Sequence, residues 1–189
     1  MGRDHKTRLL ALLNERAYMQ GDVTLSAGGQ SSFYIDGKMV EMNPEGAFLI
    51  GEVIYGAIKD LDVQAIGGLA VGAVPMVTSI VISCHHHEKP LEGFFVRDAA
   101  KSHGTRKVIE GLLHAGDRVV MVDDVITSGK SVLKAIEAAE ERGAEIVKVV
   151  SIVDRDAGAA ALFAERGYGY EFIFTKDEVA RGVHERAVG

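Results

Sequence analysis

From residue 63 onward the chain alternates short apolar runs with amphipathic stretches, and this rhythm limits its possible folds more than any other feature. Residues 63–66, 94–96, 119–122, 145–153 and 170–174 read as strands, with helices over 73–83, 130–142 and 157–166. Gly143 and Gly167 fall where two of those helices should stop. Such alternation builds an α/β fold: a doubly wound, mostly parallel sheet with helices on both faces. Sheets of this kind bind ligands beyond the carboxyl ends of their strands.

The first sixty residues differ. An amphipathic helix is expected over residues 4–18, with Leu9, Leu10, Leu13 and Ala17 on one side. Residues 19–40 are extended and rich in Gly and Ser, suited to a small N-terminal hood over a site. Asn43-Pro44 should start the next helix, because Asn caps well and Pro is tolerated in the first turn. A Thr175/Glu178 capping box predicts a short final helix.

With 189 residues the chain suits one domain, residues 1–189. Its net charge of −6, without a basic block, argues against broad nucleic-acid binding. The lone cysteine, Cys84, excludes an internal disulfide, and charges among the first leucines argue against a signal peptide, so the cytoplasm is the expected address. The stretch 63–84 is interrupted by Gln64, three glycines and Pro75, which reads better as strand, loop and helix than as a membrane span. The His85-His86-His87 run is expected in an exposed connection, and Cys84 as a buried structural thiol.

The chemistry concentrates in residues 119–131, VVMVDDVITSGKS. Asp123 and Asp124 come where the strand should end. Thr127, Ser128, Gly129 and Ser131 then supply hydroxyls and a permissive backbone where the next helix presents unpaired N–H groups. A nucleotide-triphosphatase loop would need glycine at position 124, where this chain has aspartate. Two carboxylates before a phosphate cradle require donors of their own, and vicinal ribose hydroxyls provide them.

This segment resembles the phosphoribosyl pyrophosphate (PRPP) signature of the type I phosphoribosyltransferases, with acidic pair, Thr, Gly and terminal hydroxyl in order. The resemblance implies that fold. It also implies that Asp123 and Asp124 bind the ribose hydroxyls while Val125, Ile126, Thr127, Ser128, Gly129, Lys130 and Ser131 wrap the 5-phosphate. Residues 67–72, GGLAVG, would be a loop whose glycines let backbone N–H groups approach the pyrophosphate.

Within the superfamily, residues 95–111 (FVRDAAKSHGTRKVIEG) resemble the mobile catalytic loop of the orotate phosphoribosyltransferases. That resemblance makes Arg97, Lys101 and His103 both catalytic and PRPP-binding. Residues 25–36 (LSAGGQSSFYID) resemble the family's hood, with aromatics beside the pyrimidine. Asp154-Arg155 matches the arginine that grips orotate, whose carboxylate suits a planar bidentate fork, and Thr127 matches a residue that adds a contact to the base. A salt bridge of Arg155 with Asp154 or Asp156 is the other reading of that residue.

The expected activity is therefore transfer of a 5-phosphoribosyl group from PRPP to orotate in de novo pyrimidine synthesis. Mg²⁺ would be held through PRPP rather than by a protein cage, and a homodimer would share its active sites. The chain departs from relatives at Asp98, Ser26 and Gly72, where lysines occur in some, so binding should lean on Arg97, Lys101, His103, Mg²⁺ and backbone amides. A purine phosphoribosyltransferase would leave the 97–111 loop and Arg155 without a reason. A non-catalytic PRPP-sensing regulator would need a nucleic-acid surface.

Overall fold

The computed structural model describes residues 2–24, 30–98 and 108–187. Helix α1 (Gly2–Leu12) runs into a π turn (Leu13–Ala17), and strands β1 (Tyr18–Thr24) and β2 (Gln30–Ile35) pair as an antiparallel hairpin. A single helical turn, α2 (Lys38–Glu41), leads to α3 (Pro44–Ile58). Asn43 Oδ1 caps α3 by accepting from the N–H groups of Glu45 (3.1 Å) and Gly46 (3.0 Å), with Pro44 opening the helix. The π turn departs from the regular helix expected over 4–18, and Leu12 joins Leu9, Leu13 and Ala17 in the core while Leu10 is only half buried.

The remaining elements are β3 (Ala65–Leu69), α4 (Ala73–His86), β4 (Glu92–Val96), β5 (Ile109–Gly111), β6 (Arg118–Ile126), α5 (Lys130–Glu141), β7 (Glu145–Asp154), α6 (Ala159–Glu165), β8 (Tyr170–Thr175) and α7 (Lys176–Ala187). Six of the strands form a sheet in the order β5-β4-β3-β6-β7-β8, parallel throughout except for the antiparallel edge strand β5. The edge strand was not expected, because three residues carry no periodicity. The capping box at the start of α7 forms as read: Glu178 Oε2 accepts from Thr175 N (2.7 Å), and Thr175 Oγ1 accepts from Glu178 N (3.2 Å).

Period-two alternation along the central strands divides the interior into two cores. Val120, Val122, Val150 and Ile152 point into one, against α3, α4 and the π turn. Val119, Met121 and Val149 point into the other, against α5 and α6. Large fully buried side chains such as Phe94 and Phe163 anchor the second core, each contributing roughly 1.5–3 kcal/mol by leaving water. Both sheet faces are thus covered, which is why Val119–Val122 is apolar at every position.

Helix α4 continues through His86, so the histidine run belongs mostly to the helix instead of a connection. His87, at its end, stacks on Tyr55 (centroids 4.0 Å apart, 5° between planes) and reaches Glu52 of α3 (3.0 Å). Cys84 is fully buried, and burial pushes its thiol up to about 11, as befits an inert core residue. Among the described residues no helix is long and apolar enough to cross a membrane.

Candidate functional site

The central strand β6 runs to Ile126, so Asp123 and Asp124 lie inside the strand and not past its end. Pairing with β7 carries it on: Asp123 lies opposite Ser151 and Ile126 opposite Asp154. Strict alternation would send the two carboxylates to opposite faces of the sheet. The alternation slips here. Val120, Val122 and Val125 all pack with the α3/α4 core, whereas Met121 and Ile126 pack with the α5/α6 core.

Both carboxylates consequently approach one place. A Cβ on Gly72 would stand 3.7 Å from Asp124 Oδ1 and 3.8 Å from Asp123 Oδ1. Asp124 N also donates to Asp123 Oδ1 at 3.2 Å. Burial, and then the charge of Asp124, hold the Asp123 carboxyl above its usual range. Such a pair is unstable as two bare carboxylates and gains from hydroxyl donors or a cation.

Beyond Ile126 the residues Thr127, Ser128 and Gly129 form the turn into α5. Gly129 has φ 78°, a left-handed conformation that only glycine adopts readily, and it makes no side-chain cap. A Cβ there would also press on the Phe163 ring at 2.9 Å. The first N–H groups of α5, around Lys130 and Ser131, therefore have no side-chain cap from Gly129, the arrangement an anion requires. Val125 and Ile126 belong to the strand and contribute backbone and packing.

The glycine segment 67–72 divides differently from the expectation. Gly67 and Gly68 are strand residues of β3, not loop residues. A Cβ on Gly67 would run into the Phe94 ring, and one on Gly68 into the Val122 carbonyl oxygen and Ala73 Cβ. They are small so that the sheet and α4 can pack. Only Ala70-Val71-Gly72 is left to approach a ligand, with Gly72 at the uncapped start of α4.

Arg155 directly follows β7, and its N–H donates to the Ile126 carbonyl (2.9 Å). Its guanidinium lies over the Phe33 ring of the hairpin at 5.1 Å, and Phe33 in turn stacks on Tyr18 at 5.7 Å and 10°. The hairpin is thereby held at the carboxyl end of β7. Arg97 follows β4, its N–H bonded to the Val108 carbonyl (2.8 Å), and its Nε is buried with no hydrogen-bond partner among the described residues. Asp98 pairs with Lys134 of α5 at 3.0 Å. Lys101 and His103 lie outside the described residues.

Two residues that sequence reasoning missed stand against the acid pair. Lys38 Nζ is 3.6 Å from Asp124 Oδ2, and a Cβ on neighbouring Gly37 would overlap that same oxygen. Glu41, one turn on, is 3% exposed, and neither of its carboxyl oxygens meets a hydrogen-bond partner among the described residues. Burial, then the charge of Asp124, raise its pKa to about 8 against an opposing pull from Lys38. No motif or spacing marks either residue, since both reach the site through the turn after the hairpin.

Residues 36–164 match the phosphoribosyl transferase domain family. The orotate phosphoribosyltransferase of Rhodopseudomonas palustris (strain BisB5) is 41% identical over 177 residues, covering 92% of this chain and 95% of the relative. That of Streptomyces avermitilis is 40% identical over 177 residues, 93% of this chain and 97% of the relative. Among solved structures, Mycobacterium tuberculosis H37Rv orotate phosphoribosyltransferase in complex with PRPP superposes with a TM-score of 0.78. It is 31% identical, over 93% of this chain and 98% of that one. Adenine phosphoribosyltransferase from Leishmania tarentolae, 15% identical with a TM-score of 0.67, shares the fold.

Proposed function

The chain belongs to the phosphoribosyltransferase family, in the branch of the orotate phosphoribosyltransferases, and on that premise we propose how its residues divide the reaction. It is a transferase that moves the 5-phosphoribosyl group from PRPP to orotate, giving orotidine 5′-monophosphate and pyrophosphate in pyrimidine biosynthesis. One observation carries the assignment of roles: an acid pair on β6, the uncapped start of α5 and the uncapped start of α4 converge at the carboxyl ends of adjacent strands.

In this reading the start of α5, with Thr127, Ser128, Gly129, Lys130 and Ser131, holds the 5-phosphate. Asp123 and Asp124 accept the ribose hydroxyls. Departure of pyrophosphate leaves positive charge on the ribose and negative charge on the leaving group, so cations preorganised around the latter lower the barrier. Arg97, Lys101 and His103 are assigned to that work. Arg155 pairs with the orotate carboxylate while Phe33 packs beside the ring, and Thr127 adds a contact to the base.

The acid pair offers hard oxygen donors of the kind Mg²⁺ takes, so these residues fit a metal carried in with PRPP. Mg²⁺ held beside these residues through PRPP would supply Lewis-acid stabilisation of the developing negative charge. We further infer one domain over residues 1–189, with 19–40 contributing the hood, and a cytoplasmic homodimer whose subunits share active sites.

Formation of orotidine 5′-monophosphate from orotate, PRPP and Mg²⁺ tests the reading, with uracil, adenine and hypoxanthine as competing acceptors. Orotate should be the preferred acceptor by orders of magnitude. Efficient use of a purine, or no product at all, would overturn the assignment of Arg155 and of the loop.

A further inference from the structure

PRPP carries its two anionic groups on opposite sides of the ribose: the phosphate on C5 and the pyrophosphate on C1, with the hydroxyls of C2 and C3 between. If the hydroxyls meet Asp123 and Asp124 and the 5-phosphate meets the start of α5, the pyrophosphate must lie across the acid pair from α5. That space is bordered by Gly72, which has no side chain to offer. A Cβ on Gly72 would have Asp124, Asp123 and Lys38 as its nearest neighbours, with Lys38 Nζ at 4.0 Å.

Lys38 is well placed to act there. Its backbone is fixed: Asp36 Oδ1 accepts from Lys38 N (3.2 Å), and Val40 is buried beneath it. Gly37 presses so closely on Asp124 that no side chain fits between. The side chain itself is half exposed, and its 3.6 Å approach to Asp124 is an ion pair beyond ordinary hydrogen-bond length. Asp124, foremost among its neighbours, also favours the charged ammonium. An ammonium held loosely by a carboxylate can turn to a stronger acceptor once ribose hydroxyls occupy that carboxylate. Pyrophosphate is such an acceptor.

We propose that Lys38 binds the pyrophosphate group of PRPP, bringing from the turn after the hairpin the cation that position 72 cannot provide. This rests on the PRPP reading of the site and adds a specific residue to it. Before substrate arrives, Lys38 offsets the charge of the acid pair; in the complex it bridges the hood side of the site to the leaving group.

Calorimetric titration of wild type, Lys38→Met and Lys38→Arg with PRPP, inorganic pyrophosphate and orotidine 5′-monophosphate, all with Mg²⁺, separates the outcomes. Lys38→Met should weaken PRPP and pyrophosphate by about tenfold or more, the loss expected for one charge-assisted contact. It should leave orotidine 5′-monophosphate, which has no pyrophosphate, within about twofold, and Lys38→Arg should recover most of the loss. The Lys38 side chain is half exposed and fills no core, so both variants should fold, which matching circular dichroism spectra of the three proteins check. Unchanged pyrophosphate binding in Lys38→Met would overturn the proposal. Equal weakening of orotidine 5′-monophosphate would also overturn it, since Lys38 would then act only by holding Asp124. In both cases wild-type binding of PRPP leaves the PRPP reading standing, whereas a wild type that binds neither PRPP nor pyrophosphate removes both.

Discussion

Glu41→Gln tests the electrostatics of the site without touching its shape. Glu41 is nearly fully buried, its carboxyl oxygens lack hydrogen-bond partners among the described residues, and its pKa rises from 4.5 to about 8. A carboxyl whose pKa is raised on folding stays protonated in the native state while the unfolded chain ionises. Its contribution is therefore complete below about pH 4.5 and is lost progressively up to about pH 8. At about 1.36 kcal/mol for each pH unit, that interval sets a ceiling of about 5 kcal/mol. Relaxation and entry of water around the carboxylate reduce this to an expected 2–4 kcal/mol, on the order of a third of a typical domain's stability. Glutamine has the same shape and cannot ionise. Denaturant unfolding of the unliganded protein at pH 5, 7 and 9 is the assay. The two proteins should be nearly equal at pH 5, with the glutamine variant more stable by about 2–4 kcal/mol at pH 9. Parallel stability curves across that range would refute the argument, because they would mean that Glu41 ionises at its ordinary pH despite its burial.

Four further outcomes are expected. Asp123→Asn and Asp124→Asn should each weaken PRPP binding by about 1.5–3 kcal/mol in calorimetry while orotate binding changes less, and unaltered PRPP affinity in both removes the ribose assignment. Gly37→Ala should do the same indirectly, since its methyl must displace the Asp124 carboxylate; wild-type PRPP affinity in that variant would show that the carboxylate has room to move. In Arg155→Ala, kcat/KM for orotate and discrimination against uracil should both fall, with PRPP binding nearly intact; wild-type efficiency would leave Arg155 as a packing partner of Phe33. Lys101→Ala and Arg155→Ala, each weak alone, should regain activity when mixed under subunit exchange if active sites are shared, and demonstrated exchange without recovery would assign each subunit its own loop.

The sequence by itself determined what short-range forces decide. Strand and helix periods, the Asn43 cap, the Thr175/Glu178 box and the stops at Gly143 and Gly167 depend on neighbours within a turn or two, so the doubly wound sheet was legible. So was the acid pair followed by an uncapped helix start, because its parts are consecutive in the chain. Long-range packing decided the rest. Gly67 and Gly68 look like an anion loop until Phe94, Val122 and Ala73 are seen to fill the space above them. Asp123 and Asp124 read as lying where a strand ends until β6 is seen to pair with β7 as far as Ile126. Lys38 and Glu41 carry no signal at all, since their importance comes from Asp124, a residue distant in sequence and brought near only when α2 packs against the end of β6. Local periodicity encodes which elements form, but the charge and solvation a side chain meets are set by whatever the folded chain places beside it.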